Sequence, residues 1–163
     1  MKIKDIKEKI FNLKDLSLEE TIFIFDLIMS GSISEVDITS ILIGLKLKTE
    51  SPNEILGAAK IMRSKAITIE SDGQTIDTCG TGGDMIGTLN ISTSAAIVAA
   101  SAGAKVAKHG NRSISSKSGS ADMLEKLGYK ISDNLKDLRF NLEQNKFCFL
   151  FAQYHHNAMK HVI

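Results

Sequence analysis

The sequence carries almost no net charge, few cysteines and no long apolar run, and each shortage excludes a class of protein. Twenty basic residues against 19 acidic ones give a net charge of +1, which argues against a general binder of nucleic acids or membrane surfaces. The two cysteines, Cys79 and Cys148, lack the spacing of metal ligands, and unpaired cysteines are typical of a reducing compartment. The apolar runs are shorter than the about 20 residues that cross a bilayer, and no N-terminal segment resembles a secretory signal. We therefore expect a cytoplasmic protein.

Three helices are predicted before residue 70. Ser17-Leu-Glu-Glu20 has the pattern of a capping box, which opens an apolar helix that Gly31 ends. A second helix is predicted from Ser34 to about Lys48. The third begins at Ser51, with Pro52 in the first turn, and runs to about residue 65.

The first of these helices is apolar on nearly every face between residues 21 and 29. A helix of this kind is buried on several sides. A three-helix core accounts for most of that burial, but a small helical domain cannot easily cover every face of the helix alone.

After residue 70 the pattern changes to alternating strands and helices. Strands are predicted at 74–79, 104–107, 129–131 and 147–152, and helices at 90–102, 120–127 and 134–145. This alternation indicates βαβ units and a parallel sheet. Residues 147–152 are apolar without alternation, as in a strand that is covered on both faces. The fold class is therefore α/β, with a helical domain at residues 1–70 and part of a parallel-sheet α/β domain at 71–163.

Four polar motifs follow one another between residues 77 and 122. They are Asp77-Thr-Cys-Gly-Thr-Gly-Gly-Asp84, Asn90-Ile-Ser-Thr93, Lys108-His-Gly-Asn-Arg112 and Ser115-Ser-Lys-Ser-Gly-Ser-Ala-Asp122. Glycines 80, 82 and 83 allow backbone N–H groups to surround an anion, and the helix start near Asn90 favours a phosphate. The loop is not a Walker P-loop, and Met85 breaks the dinucleotide-binding pattern. Thr93 and Ser94 could also be ordinary helix caps.

The segment 105–120 is basic and has no acidic residue. Its cations are Lys105, Lys108, Arg112 and Lys117, a patch that suits a polyphosphate, although a solvated basic loop is the alternative. Lys108 and Arg112 are natural counter-charges for a pyrophosphate leaving group. His109 is more often a structural residue in this position, so no proton transfer is assigned to it, and Asn111 could orient an amine or a carboxylate.

A second group of candidate ligands lies near residue 160. His155, His156, Met159 and His161 suggest a metal cluster, but no carboxylate or cysteine accompanies them in the sequence. Metal binding there is disfavoured.

In order and spacing the four motifs resemble those of the anthranilate phosphoribosyltransferases of tryptophan biosynthesis. The resemblance extends to Ile28-Met-Ser-Gly31, to Gly57-Ala-Ala-Lys-Ile-Met-Arg63 and to Phe149-Leu-Phe-Ala-Gln-Tyr-His-His156. It covers essentially the whole chain, which corresponds to about the first half of such an enzyme. Met85 and Asn157 depart from the family's usual glycine and proline.

The resemblance implies a reaction, a cofactor and an assembly. The amine of anthranilate would displace pyrophosphate from C1 of 5-phosphoribosyl 1-diphosphate (PRPP), with Mg²⁺ bound to the diphosphate, in an enzyme that is a homodimer through its helical domain. The positions that match PRPP contacts are Gly80, Gly83, Asp84, Thr88, Asn90, Ile91, Ser92, Thr93, Lys108, His109, Gly110, Asn111, Arg112, Ser113, Ile114, Ser115, Ser116 and Ser120. Gly80, Asn111 and His156 match anthranilate contacts, Ser92 matches a magnesium ligand, and Lys108 is the expected catalytic residue.

Two other functions stay open at this point. A pyrimidine nucleoside phosphorylase has the same architecture, but Lys108-His-Gly-Asn-Arg112 favours the transferase. A non-catalytic binding or dimerisation fragment is the other alternative, because the family's carboxylate-binding arginine and acidic magnesium pair have no counterpart in these residues. For the same reason we expect residues 1–163 alone to be inactive.

Overall fold

The computed structural model describes residues 1–80, 90–113 and 119–162. They form two compact units. The first contains residues 1–66 and the segment that begins at His156, and the second contains residues 67–155.

The first unit is helical. Its elements are α1 (Ile3–Phe11), α2 (Leu18–Met29), α3 (Glu35–Lys48), α4 (Pro52–Ser64) and a 3-10 helix (Asn157–His161). The three predicted helices are confirmed. At the start of α2 the Ser17 hydroxyl accepts the Glu20 N–H at 3.2 Å, and the Glu20 carboxylate accepts the Ser17 N–H at 2.8 Å, so the capping box is present. Helix α1 was not predicted, since only Ile6 and Ile10 are buried in an otherwise charged segment.

Helix α2 lies at the centre of this unit. Ile24 and Ile28 are fully buried, and the aromatic side chains of Phe23 and Phe25 on its other faces are partly buried against the same core. Helix α4 packs closely on it, because a Cβ built at Gly57 would lie 2.7 Å from the side chain of Thr21. The apolar faces of α2 are therefore largely covered inside the unit.

The second unit is α/β. Its elements are α5 (Ile91–Ser101), β1 (Val106–Gly110), α6 (Ser120–Lys126), α7 (Leu135–Asn145), β2 (Phe147–Phe151) and α8 (Ala152–His155). Strands β1 and β2 are parallel, in a register that pairs Val106 with Phe147 and Gly110 with Phe151. Ile76 forms a parallel bridge to Val106 on the other side of β1. The predicted fold class is confirmed, and four of the five residues of β2 are buried.

Three strand predictions need correction. Residues 74–79 contribute only the bridge at Ile76. Residues 129–131 form no strand, because Tyr129 reaches β2 with its side chain, whose hydroxyl accepts the Phe149 N–H at 3.1 Å. Strand β1 begins and ends later than predicted, so Lys108 and His109 belong to the strand itself. None of the helices in the described ranges is long and apolar enough to cross a membrane.

Candidate phosphate-binding site

The candidate site lies where β1 ends. In parallel α/β sheets, ligands bind at the carboxyl ends of the strands. Here the backbone N–H of His109 donates to the Asp77 carboxylate at 3.2 Å, so the segment after the Ile76 bridge runs beside the end of β1. Cys79 follows on this segment, and its Sγ is 3.8 Å from Nδ1 of His109.

The same segment is fixed to the start of α5. The Thr78 hydroxyl donates to the Ser92 carbonyl at 2.7 Å. The first N–H groups of a helix have no partner within the helix and favour an anion. One residue further, Thr93 is fully buried, and its Oγ1 forms no hydrogen bond with any described residue. A buried hydroxyl without a partner is uncommon and marks a position where a ligand could bind.

Lys108 is the buried cation of this site. Its exposed fraction is only 1%, and its ammonium forms no hydrogen bond or ion pair with another described residue. Burial lowers the pKa of Lys108, and electrostatic interactions with Asp77 and Cys79 only partly oppose that effect. A buried ammonium is costly unless a counter-ion compensates it, so this position suits an anion.

The other described cations of the basic segment are already paired. Lys105 forms an ion pair with Glu143 of α7 and donates to the carbonyl of Asp72. Arg112 forms ion pairs with Asp122 at 3.0 Å and Glu125 at 2.7 Å. Two of the three described cations of this segment are therefore paired with carboxylates, and Lys117 lies outside the described residues.

Asp122 holds together the backbone on both sides of residues 114–118. One of its carboxylate oxygens accepts the N–H of Gly119 at 2.8 Å and that of Ser113 at 3.3 Å. Residue 119 has to be glycine here, since a Cβ would lie 2.2 Å from the backbone nitrogen of Ser113. The Gly119 carbonyl accepts from the Asn90 side chain at 3.2 Å, which connects this turn to the start of α5.

The remaining predicted residues are distributed as follows. Gly80 is exposed, the Asn111 side chain accepts the Arg112 N–H at 2.8 Å, and Ser120 is the half-buried first residue of α6. His156 belongs to the helical unit. The predictions at Gly83, Asp84, Met85, Thr88, Ile114, Ser115, Ser116 and Lys117 lie outside the described residues.

Of the histidines near residue 160, His155 is held by the backbone of Ile67. The Nδ1 atom of His155 lies 2.8 Å from the Ile67 carbonyl, and the Ile67 N–H donates to the His155 carbonyl at 2.8 Å. Within the described part of the chain, no three His, Cys, Asp or Glu side chains are grouped so that they could hold a metal ion.

Comparison with known proteins places this arrangement in a family. Residues 4–66 match the helical bundle domain of the glycosyl transferase family, and residues 72–163 match its a/b domain. The chain belongs to this glycosyl transferase family. Both units described above thus have a counterpart among the domains of the family.

Several relatives of the chain are named anthranilate phosphoribosyltransferase. The chain is 46% identical over its whole length to the anthranilate phosphoribosyltransferase of Hydrogenovibrio crunogenus and covers 48% of that protein. It is 48% identical to the enzyme of that name from Persephonella marina, again over 48% of the relative. The chain thus spans about half the length of these relatives.

Solved structures of family members are similar to this chain over nearly its whole length. The anthranilate phosphoribosyltransferase of Thermus thermophilus is similar with a TM-score of 0.83 and 38% identity, over 97% of this chain and 48% of that one. The yeast enzyme in complex with PRPP and Mg is similar with a TM-score of 0.84 and 27% identity, over 98% of this chain and 49% of that one.

Sequence reasoning missed the roles of Asp77, Asp122 and Glu125. Asp122 and Glu125 are three residues apart, which places them on one face of α6, and this spacing beside a nearby arginine was the available signal. No pattern in the sequence indicates the contact of Asp77 with β1, because it joins residues 32 positions apart.

Proposed function

We propose that the chain is the PRPP-binding, N-terminal portion of an anthranilate phosphoribosyltransferase. The names of its relatives and their sequence identity support this function. The single observation that carries the proposal is Lys108, a buried ammonium that forms no ion pair with a described residue. Asp77 and Thr78, which are adjacent in the sequence, tie the strand that bears it and the start of α5 to one segment.

The chemistry requires stabilisation of a leaving diphosphate. When the anthranilate amine attacks C1 of PRPP, the C1–O bond to the diphosphate breaks and negative charge grows on the departing oxygens. Lys108 and the first N–H groups of α5 are fixed before the reaction, and such preorganised groups stabilise the transition state without rearrangement. In this proposal Lys108 is the catalytic residue, and Ser92, Thr93 and their neighbours bind the phosphates.

Magnesium fits this arrangement as a partner of the substrate. Mg²⁺ is usually held by one or two protein oxygens together with substrate phosphates, so the lack of a multi-residue metal cluster in the described part of the chain is compatible with it. The hydroxyl of Ser92, in the first turn of α5, is the protein ligand that we propose. The ion would neutralise charge on the diphosphate.

The anthranilate side and the assembly are further parts of the proposal. We assign Gly80, Asn111 and His156 to anthranilate binding. We also propose that the enzyme is a cytoplasmic homodimer through its helical domain, taken as residues 1–70, with the α/β domain beginning at residue 71. Two unpaired cysteines suit the cytoplasm, and burial raises the pKa of the Cys148 thiol to about 12, so this cysteine is chemically inert at neutral pH.

Calorimetric titration of residues 1–163 with PRPP tests the binding role. We expect saturable binding that strengthens with Mg²⁺, is weakened in Lys108→Met and is retained in Lys105→Met, whose ammonium is paired with Glu143. No heat at millimolar PRPP would contradict the proposal, and so would equal losses in the two variants.

The fluorescence of phosphoribosyl-anthranilate tests the catalytic role. Residues 1–163 match about half of the relatives, so we expect product only after addition of the unmatched region of a relative. Product from the mixture that is insensitive to Lys108→Met would contradict the catalytic assignment.

A further inference from the structure

The side chain of Arg112 is paired with two carboxylates of α6. Its Nη1 and Nη2 donate to the two oxygens of Glu125 at 2.7 and 2.8 Å, and Nη1 also donates to Asp122 at 3.0 Å. This is a bidentate pairing, the geometry in which a guanidinium binds a carboxylate or a phosphate most strongly. The guanidinium also lies 5.8 Å from the ring centroid of Phe151.

A diphosphate would have to displace Glu125 to reach the same edge of Arg112. One guanidinium with two carboxylates has a summed charge of about minus one, which repels an anion rather than attracting it. The carboxylates stay ionised at neutral pH. Backbone N–H groups of Gly119 and Ser113 hold the pKa of Asp122 below its usual range, and the hydrogen bonds from Arg112 do the same for Glu125.

Asp122 connects this ion-pair network to the backbone. It binds Arg112 with one oxygen and the N–H groups of Ser113 and Gly119 with the other. Gly119 in turn accepts from Asn90, the residue before α5. A continuous set of contacts therefore runs from Glu125 through Arg112 and Asp122 to the start of the helix whose first turn belongs to the candidate site.

We propose that Arg112 is a positioning residue and not a ligand of the diphosphate: Glu125 and Arg112 hold Asp122, and Asp122 fixes the backbone at Ser113 and Gly119. This inference rests on the proposed PRPP site. Lys108 then supplies the positive charge of the site, whereas Arg112 positions the backbone.

The direction in which Glu125→Gln changes the affinity for PRPP distinguishes a positioning role of Arg112 from direct binding of the diphosphate. If Arg112 positions the backbone, Glu125→Gln weakens PRPP binding by about two- to fivefold, the range for an exposed ion pair. Arg112→Gln gives a loss of similar size, and the double variant loses no more than Arg112→Gln alone. Arg112→Lys keeps the charge but not the bidentate geometry, so we expect it to behave like Arg112→Gln. If Arg112 bound the diphosphate, Glu125→Gln would release the guanidinium and strengthen PRPP binding.

The titrations are made with PRPP and Mg²⁺, and Glu143→Gln is the control because it breaks the Lys105 pair elsewhere in the same unit. The proposal is overturned by stronger binding in Glu125→Gln, by additive losses in the double variant, by wild-type affinity in Arg112→Gln or Arg112→Lys, or by an equal loss in the control.

Amide hydrogen exchange without ligand gives a readout that does not depend on PRPP. We expect faster exchange at Ser113 and Gly119 in Arg112→Gln, Glu125→Gln and Asp122→Asn, and wild-type exchange there in Glu143→Gln. If wild type fails to bind PRPP while this exchange pattern holds, the proposed function fails and the positioning role stands. Unchanged exchange at both amides in Arg112→Gln overturns the positioning role whatever the PRPP titration gives.

Discussion

The Thr78 hydroxyl donates a 2.7 Å hydrogen bond to the carbonyl of Ser92 and so ties the segment before the glycine-rich loop to the first turn of α5. The preceding residue, Asp77, accepts the backbone N–H of His109 in β1. Two neighbouring residues thus connect the strand that carries Lys108 with the helix that carries Ser92. The arrangement of the candidate site is set by these contacts within the protein.

Thr78→Val should weaken PRPP binding while leaving the fold intact. Valine has nearly the shape of threonine but cannot donate to Ser92, and a neutral hydrogen bond contributes about 1 kcal/mol, or about fivefold in affinity. Thr78→Ser keeps the hydroxyl and is the matched control. Calorimetric titration measures both variants, and equal affinity in the two would show that the bond to Ser92 does not matter.

Binding of PRPP should also depend on the charge of Lys108. Burial lowers the pKa of Lys108, so the ammonium loses its proton, and its attraction for phosphate, at a lower pH than an ordinary lysine with a pKa of about 10.4. Affinity should therefore fall as the pH rises through this lowered pKa.

Calorimetric titrations with PRPP between about pH 7 and pH 10, below the ordinary lysine pKa, measure this loss of affinity. Lys108→Arg should show no such loss, because a guanidinium does not titrate in this range. Lys108→Met should bind more weakly than wild type at neutral pH by about 1.5–3 kcal/mol, the value of a charge-assisted bond. A wild-type affinity that stays constant up to about pH 10, just below the ordinary lysine pKa, would contradict the role of burial.

Gly119→Ala should disrupt the turn that Asp122 holds. The added Cβ would lie 2.2 Å from the nitrogen of Ser113 and 2.5 Å from the carbonyl carbon of Arg112, both of them backbone atoms that cannot rotate away. We expect a loss of unfolding free energy of at least about 1–3 kcal/mol, as for overpacking, together with weaker PRPP binding.

Gly128→Ala is the comparison for Gly119→Ala. Gly128 has a φ of +87° and no atom within 4 Å of the built Cβ, so its variant measures backbone strain alone, about 1–2 kcal/mol. Thermal unfolding measures the stability of both variants. A loss in Gly119→Ala no larger than that in Gly128→Ala, together with unchanged PRPP binding in Gly119→Ala, would show that the turn tolerates the clash.

The parts of the fold that could be predicted are those with local causes. The starts of α2 and α3 are set by Ser17 and Ser34, whose hydroxyls accept N–H groups three residues later. Helix α1 escaped prediction because its burial depends on two isoleucines and on helices that follow it. The strand expected at 129–131 is absent because the Tyr129 hydroxyl accepts the backbone N–H of Phe149 in β2. Local propensity does not predict a contact between residues so far apart in the sequence.

The candidate site was predictable as a set of segments but not as a set of contacts. The glycine-rich loop and the lysine of β1 follow from chemistry that is visible in the sequence. The pairing of Lys105 depends on Glu143, which is 38 residues away, whereas Lys108 forms no ion pair with a described residue. In the same way, the bonding of Arg112 is decided by the packing of α6. Charge composition counts cations and not their partners, so it does not reveal which cations of the segment are paired.

The helical unit should depend on a buried ion pair. Lys48 and Glu54 are 2.8 Å apart, and each side chain is only 1% exposed. Glu54 also accepts the N–H groups of Leu16 and Ser51. Lys48 also pairs with Asp15 at 2.7 Å, so Glu54→Gln leaves the buried ammonium with one carboxylate instead of two. We expect a loss of unfolding free energy below the about 3–5 kcal/mol of a buried pair that is broken completely. Urea unfolding followed by circular dichroism measures the loss.

Asp37→Asn is the control, because the Lys7–Asp37 pair is partly exposed and its removal should cost less. A loss in Glu54→Gln no larger than that in Asp37→Asn would contradict the importance of the buried pair.

Stability should fall with acid as Glu54 becomes protonated. Burial raises the pKa of Glu54, but hydrogen bonds from Lys48, Ser51 and Leu16 outweigh burial, so that the net pKa is lowered. The stabilisation is therefore complete above the ordinary glutamate pKa of about 4.3 and is lost as the pH falls through the lowered value. Urea midpoints measured across this range should decline less steeply in Glu54→Gln, and parallel curves would exclude Glu54 as the titrating group.

Finally, we expect the proposed homodimer to form through α3 rather than through α2. The apolar faces of α2 are covered within the unit, whereas α3 exposes Val36, Ile43 and Leu47 by 76%, 54% and 78%, at spacings of seven and four residues that place them on one face. Exposed Glu35 stands at the start of α3 and exposed Lys46 near its end. Antiparallel contact with α3 of a second copy would bring opposite charges together at both ends, as a twofold interface requires.

Light scattering at micromolar concentration should therefore give a dimer for wild type and a monomer for Leu47→Glu, since the new carboxylate would be buried against apolar side chains of the second copy. Ile55→Glu, at a 60% exposed position of α4, is the matched control and should leave the dimer intact. A wild-type monomer, or dissociation by Ile55→Glu but not by Leu47→Glu, would show that α3 is not the contact surface.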